Sequence, residues 1–402
     1  MGQQVDDLEG GSTTIGVLGG HWRAEVDSRG RIVTWEGSAL DWWIAAEDRW
    51  HDPRHELTVR QQSVDGTPVI ETRVRVPGGD VVQRVYAVAD AGGVTVIEVE
   101  NDSPAPVAVV FSHGRLLTQR PPATVPIEGI EVPADAVSFP IGHHATMRVG
   151  IPHSGNPGPL PAELGTPLAV ARGWTRLTET ASRVVLPDAA LMERLVSVRC
   201  HVLLNGPVDP VSDAAGSLLG LAELVRMGSD AVDLVPEAVS AAERLARAAR
   251  TCGLDWDGAA ALSAVERLLV SADDHRAAAD VAALCARLGG SGAPVPEQAP
   301  DGIRFVPWLE YRLARPLANN TCVLLEAGHP QGWLGANWEV HHLPAGPRSQ
   351  VGYAVRWHGE RPAVLWEITG EPVALVGGSA APSWRGSGPS GEDLWPEPQP
   401  QS

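Results

Sequence analysis

The spacing of hydrophobic positions changes twice along the chain. Before Leu186 they fall in short runs rich in Val and Thr. Ala24 to Val33 reads as a hairpin about Asp27-Ser28-Arg29-Gly30. Runs at Leu57 to Gln62, Val69 to Val76, Val81 to Val88, Val94 to Val99 and Val107 to Ser112 follow, divided by Asp65-Gly66, Gly78-Gly79-Asp80 and Gly92-Gly93. Short strands with tight turns between them predict an antiparallel β-sandwich over 12–186. From Pro187 the period becomes helical. Leu191, Leu195, Val198 and Val202 form one stripe; Leu221, Leu224 and Val225 a second; Val239, Leu245 and Ala248 a third. Ala261, Val265 and Leu268, then Ala278, Val281, Ala282 and Cys285, complete about five helices over 187–289. Pro187-Asp188 and Asp255 supply start signals, and Gly253 and Gly289 stop signals.

A Gly/Pro/Ser stretch leads to a second strand-like region at 303–376, clearest at Thr321 to Leu325, Ala336 to Leu343, Gln350 to His358 and Ala363 to Ile368. The Gly, Ser and Pro content of 377–402 predicts a flexible tail. The predicted fold class is therefore α+β multidomain: an antiparallel β-sandwich, a short helical hairpin region and a C-terminal β domain.

Composition removes several functions. The 402 residues carry a net charge of −18, and no basic run offers a surface to nucleic acid or an anionic membrane. All 31 cationic residues are Arg. Without Lys there is no Schiff-base lysine, no Walker A lysine and no lysine to pair a kinase's phosphates. No G-x-S-x-G motif supports a serine hydrolase, and no G-x-G-x-x-G follows a predicted strand to support a dinucleotide enzyme. The polar, acidic start lacks the features of a signal peptide, and no apolar run is long enough for a transmembrane helix. Cys200, Cys252, Cys285 and Cys322 are scattered and form no metal pattern. These features lead us to expect free thiols, a cytoplasmic setting and no cofactor or metal.

Two stretches carry a family resemblance. Val94-Thr-Val-Ile-Glu-Val-Glu-Asn-Asp-Ser-Pro-Ala-Pro-Val107 resembles the sandwich of the six-hairpin toroid glycosidases and their phosphorylase relatives. Leu186-Pro-Asp-Ala-Ala-Leu-Met-Glu-Arg-Leu195, followed by Cys200-His-Val-Leu-Leu204, is similar to the entry into their first toroid helix. The resemblance implies an N-terminal super-sandwich, a partial α/α toroid and carbohydrate as ligand. A full toroid has twelve helices; here it is truncated, and no family catalytic residue carries over.

Candidate chemistry centres on Trp and acids. Of 14 Trp, six fall in the last seventy residues: Trp333, Trp338, Trp357, Trp366, Trp384 and Trp395. Trp beside polar groups suits the apolar face and hydroxyl rim of a sugar; Trp also fills cores. Alternation along the strand places Asn337, Glu339 and His341 on one face, with Arg356, His358 and Glu367 completing a polar surface if the strands pair. With Trp333, Trp338, Trp357 and Trp366 these form the expected glycan-binding set. Glu339, His341 and His358 could alternatively hold a metal. Asp255 and Asp257, in Asp255-Trp256-Asp257-Gly258, could supply one member of a glycosidase carboxyl pair, with Glu339 the other; such pairs stand about 5–9 Å apart. Asp255 equally suits a helix N-cap. Asp41-Trp42-Trp43 and Glu47-Asp48-Arg49-Trp50-His51 form a further aromatic and charged cluster, and His143-His144 a loop pair. Three functions remain open: carbohydrate binding without catalysis, glycoside hydrolysis, and a scaffold whose Trp are all core.

Overall fold

A computed structural model describes residues 11–155, 158–289, 294–317 and 319–398. Among these residues there are seven α-helices and 22 strands, giving an α+β fold. The chain divides after Thr175 into two compact units.

In the first unit a six-stranded sheet runs in the order Leu117–Thr118, Ala145–Pro152, Val94–Asn101, Gly79–Val88, Ile70–Val76, Arg60–Ser63. A four-stranded sheet orders Val137–Ile141, Val107–Phe111, Trp42–Ala45 and Trp50–His51; a second contains Thr13–Gly16, Arg23–Val26, Ile32–Thr34 and Ala39–Leu40. Strand alternation decides which side chains meet. Val85, Ile97 and Val149 from the first sheet share a core with Ile44, Val109, Phe111 and Phe139 from the second and with Ile15, Val26 and Ile32 from the third. Their neighbours Tyr86, Val94 and Val96 face the other way and form a smaller core with Leu160, Leu164 and Ala171. Turn chemistry leaves little room: a Cβ on Gly79 would stand 1.9 Å from the Asp102 carbonyl oxygen. Helix α1 (Pro167–Thr178) contains the point where the chain divides.

The second unit begins with Arg183–Val185 and continues through helices α2 (Ala189–Asn205), α3 (Ala214–Arg226), α4 (Ala231–Cys252), α5 (Trp256–Ser271) and α6 (His275–Arg287). Each of these five starts the same way. Asp188, Asp213, Asp230, Asp255 and Asp274 accept a hydrogen bond from a backbone N–H of the first turn, satisfying a donor the helix cannot. Helix α7 (Phe305–Leu313) follows, where the sequence pattern predicts strand. Its Pro307 lies in the first turn, where no intrahelical N–H is missed, and its Phe305, Trp308, Leu309 and Leu313 are buried.

A five-stranded antiparallel sheet takes the order Arg183–Val185, Trp338–Gly346, Ser349–His358, Arg361–Gly370, Ser390–Leu394. A smaller sheet holds Ala314–Leu317, Thr321–Leu324 and Ala374–Gly377, the last two parallel. One core runs through helices and sheets together, from Leu218, Ala261 and Leu268 to Trp338, Tyr353 and Trp366. This corrects three expected boundaries. The regions 187–289 and 303–376 do not form separate domains, because neither covers its apolar face alone. Arg183–Val185, assigned above to the sandwich, is an edge strand of this sheet. The tail expected to be flexible from 377 supplies a strand and two buried aromatics, Trp384 and Trp395, up to the last described residue.

Candidate functional site

The acids proposed for catalysis are engaged elsewhere. Asp255 is the α5 N-cap, accepting from the Gly258 N–H at 3.1 Å. Partial desolvation, then the neighbouring Asp257 carboxyl, pushes it above the usual range even though the residue is largely exposed. Asp257 is buried in the first turn of α5 and is paired with Arg304. The same guanidinium grips Asp213, the α3 cap, at 2.6 and 2.9 Å. Arg304 thus ties together the N-terminal acids of two helices, holding Asp213 below the usual carboxylate range. Glu339 is bonded to Arg356, lies 3.4 Å from His341 and 3.9 Å from Arg183, and is held low by the first two. An acid so paired is ionised and oriented by its partners, which suits a structural ion pair.

The proposed glycan surface separates into two faces. Asn337, Glu339, His341, Arg356, His358 and Glu367 do lie on the wetter side of the sheet; Asn337, His358 and Glu367 are exposed, and Asn337 accepts from the Trp357 N–H at 2.9 Å. Trp338 and Trp366 project to the opposite side and are 1 % and 5 % exposed, while Trp333 is buried beside Trp338. Trp357 is half-buried. Side chains on opposite faces of a sheet cannot close on one ligand, so the joint Trp and polar platform expected from the sequence does not form. A register shift between Val340 and Leu343 also breaks the expected alternation at His342, which is exposed with a φ of 59°. Among the described residues no group of three or more His, Cys, Asp or Glu side chains is placed to hold a metal ion, Glu339, His341 and His358 included. The four cysteines are unpaired thiols.

The aromatic cluster of the first unit is likewise mostly interior. Trp42 and Trp43 are buried, and Trp42 donates to the Arg29 carbonyl at 3.0 Å. His51 is wedged between Asp48 at 3.1 Å and Glu56 at 3.0 Å. His143 and His144 are exposed and meet edge to face.

One concavity in the second unit combines features of a ligand site. It has a volume of about 340 Å³. Trp256, Ala260, Ser263 and Arg267 line it from α5 at spacings of four, three and four, so one face of that helix looks into it. Ala282 and Cys285 of α6, Tyr311 of α7, Arg315, Asn319, Asn320 and Gly346 complete the wall. Trp256 is half-buried, leaving aromatic surface accessible. Asn319 and Asn320 both hold left-handed backbone, a conformation their short amide side chains tolerate. Burial pushes Glu266 and Cys285 up and Arg267 down. A concave site with an aromatic wall, convergent polar groups and shifted titratable groups is the physical profile of a small-molecule pocket. The sequence reading singled out Trp256 only as a neighbour of two acids. The Ala and Ser positions on the same stripe read as ordinary helix packing, so no local signal marks the pocket.

Further aromatic burial surrounds His329, which is 7 % exposed between Trp357 at 5.7 Å and Trp395 at 6.0 Å. Neither ring nitrogen has a hydrogen-bond partner. Burial pushes its pKa down to about 4, so it is neutral at pH 7. Among the described residues no helix is long and apolar enough to cross a membrane. Compared with family models, curated proteins and solved structures, the chain matches none.

Proposed function

We propose that this protein binds a small carbohydrate without hydrolysing it, in the pocket beside Trp256. The observation that carries the reading is the pocket itself: an accessible indole next to Ser263, Asn319 and Asn320 in a space of about 340 Å³. A sugar ring offers C–H groups to an aromatic face and hydroxyls to amides and a serine. The engagement of Asp255, Asp257 and Glu339 in a cap and in ion pairs favours binding over catalysis. The sequence resemblance to toroid glycosidases supports the choice of ligand class, with the capped helices α2 to α6 as a shortened hairpin array.

Titration with monosaccharides and disaccharides should quench Trp fluorescence and saturate, with modest affinity because few contacts offset the motion lost on binding. Trp256→Ala should abolish the response while thermal unfolding stays cooperative. Release of reducing sugar by the wild type would replace the binding reading with glycoside hydrolysis. Absence of saturable binding would leave a scaffold, a second reading favoured by one observation: Trp333, Trp338, Trp366, Trp384 and Trp395 are all buried.

A further inference from the structure

We propose that the ligand of this pocket carries an anionic group, a carboxylate or a phosphate, and that Arg267 receives it. The inference rests on the pocket being the ligand site. The second unit matches its other enclosed or half-buried cations of the helical region with acids: Arg199 and Arg226 meet Glu223 and Glu310, and Arg304 meets Asp213 and Asp257. Arg267 is different. Its Nε is buried without a hydrogen-bond partner, and no described acid forms an ion pair with it. Arg267 is half-buried, and a guanidinium with an enclosed Nε and no acid partner is costly; an apolar side chain on the same helix face would avoid that cost.

The surroundings compensate only in part: burial and Arg226 oppose the Arg267 charge, Tyr311, Glu310 and Glu223 favour it through space, and the net direction is down. The pocket's own acid, Glu266, is pushed toward its neutral form by burial. Arg267 also lines a second hollow of about 360 Å³, to which Arg226 and Arg348 contribute further positive charge. Arg348 is satisfied by Glu371 at 3.1 Å, and Arg226 by the two glutamates, so neither is short of a partner. Arg267 is the cation left over, and it lines the same concavity as Trp256 and Ser263. A planar guanidinium pairs two-pronged with carboxylate or phosphate oxygens. A ligand with such a group would pair with the Arg267 guanidinium from the pocket side and offset the repulsion from Arg226.

The test uses the full chain and four probes: D-glucose, D-glucuronate, D-glucose 6-phosphate and inorganic phosphate. At least one acidic sugar should bind about tenfold more tightly than glucose, the gain of one charge-assisted hydrogen bond, and which one does so separates carboxylate from phosphate. Arg267→Met should reduce the acidic sugars to the level of glucose while its Tm stays equal or rises, because a half-buried cation with no acid partner has gone. Equal binding of neutral and acidic sugars by the wild type would overturn the anion inference and leave carbohydrate binding intact. If no sugar binds but inorganic phosphate raises the Tm of the wild type and not of Arg267→Met, the anion site stands and the carbohydrate reading falls. Phosphate stabilisation of both proteins alike would overturn the anion site, as would no response to any probe. The wild-type preference decides the question even if Arg267→Met fails to fold.

Discussion

In the first unit Glu71, Arg84, Glu98 and Arg148 stand opposite one another across four neighbouring strands, and Gln62 extends the row by donating to Glu71. In the second unit Arg199 from α2, Glu223 and Arg226 from α3 and Glu310 from α7 close into a ring. Both networks alternate sign, yet they are built differently. The ladder follows from β register alone, which fixes each cross-strand pair. Its arginines keep contact with water, at 19 % and 23 % side-chain exposure. The ring has less: Arg226 is 13 % exposed, while Arg199 is 1 % exposed and also donates to Ser182 and to the Thr178 carbonyl. For Glu310 burial opposes the charge, but Arg226 and Arg199 outweigh it and hold the carboxyl below its usual range. A charge network at a sheet surface can lose a member and let water replace it. A closed ring inside a helical core cannot.

The sharpest way to break this contrast is Glu310→Ala. It leaves two buried guanidiniums facing one carboxylate, and should cost about 3–5 kcal/mol. Urea denaturation measures it; a loss below about 1 kcal/mol would mean that water reaches the ring and that the two networks are alike.

A second comparison pairs two histidines. His153 of the first unit stacks on Trp22 at 4.0 Å and shares a hydrogen bond of 3.0 Å with Thr95, whereas His329 of the second has no polar partner. Burial depresses both to about 4, aided at His153 by Arg23. An unfolded ring, with its ordinary value near 6.5, takes up a proton that the folded ring refuses until about pH 4. Stability is therefore full above pH 6.5 and falls as the pH drops toward 4, by roughly 3 kcal/mol for His329 and by less for His153, whose ring is more open to solvent screening. His329→Leu should flatten that slope without loss at pH 7, since it removes no hydrogen bond. His153→Leu should also flatten it, but at the expense of the Thr95 bond. Identical pH profiles for wild type and His329→Leu would show that the His329 ring is already protonated or solvated in the fold.

The smallest expected effect concerns the ladder. Glu98→Ala should cost about 1–2 kcal/mol, because Arg84 retains Glu71 and Glu100 and both arginines can turn to water. A loss as large as that of Glu310→Ala would erase the distinction between sheet surface and helical core.

Much of the local structure is legible in the sequence. The Val- and Thr-rich runs became strands, with the first shifted from 57–62 to Arg60–Ser63, leaving Leu57 exposed. The five helices of 187–289 formed where the stripes lie, each behind an Asp. Asp255 took the capping role that its position before a helix suits. Less legible was Ser390–Leu394, a run of small and acidic residues with no strand pattern. It is a strand because the edge Ala363–Glu367 offers backbone partners and Trp395 anchors its end. The candidate site was hardest to see. Alternation separated Asn337, Glu339 and Arg356 from Trp338 and Trp366, but it cannot say that the Trp face would be covered by helices.

Periodicity, capping residues and turn chemistry act within a few positions, so the chain alone determined where strands and helices begin and which side chains share a face. Tertiary structure decided what each face meets. It joined the helical and C-terminal β regions in one core and buried the Trp. It matched Asp257 with Arg304, 47 residues away, and left Arg267 without a partner beside Trp256. Burial and charge pairing depend on which distant segments pack together, and a one-dimensional pattern does not contain that distance.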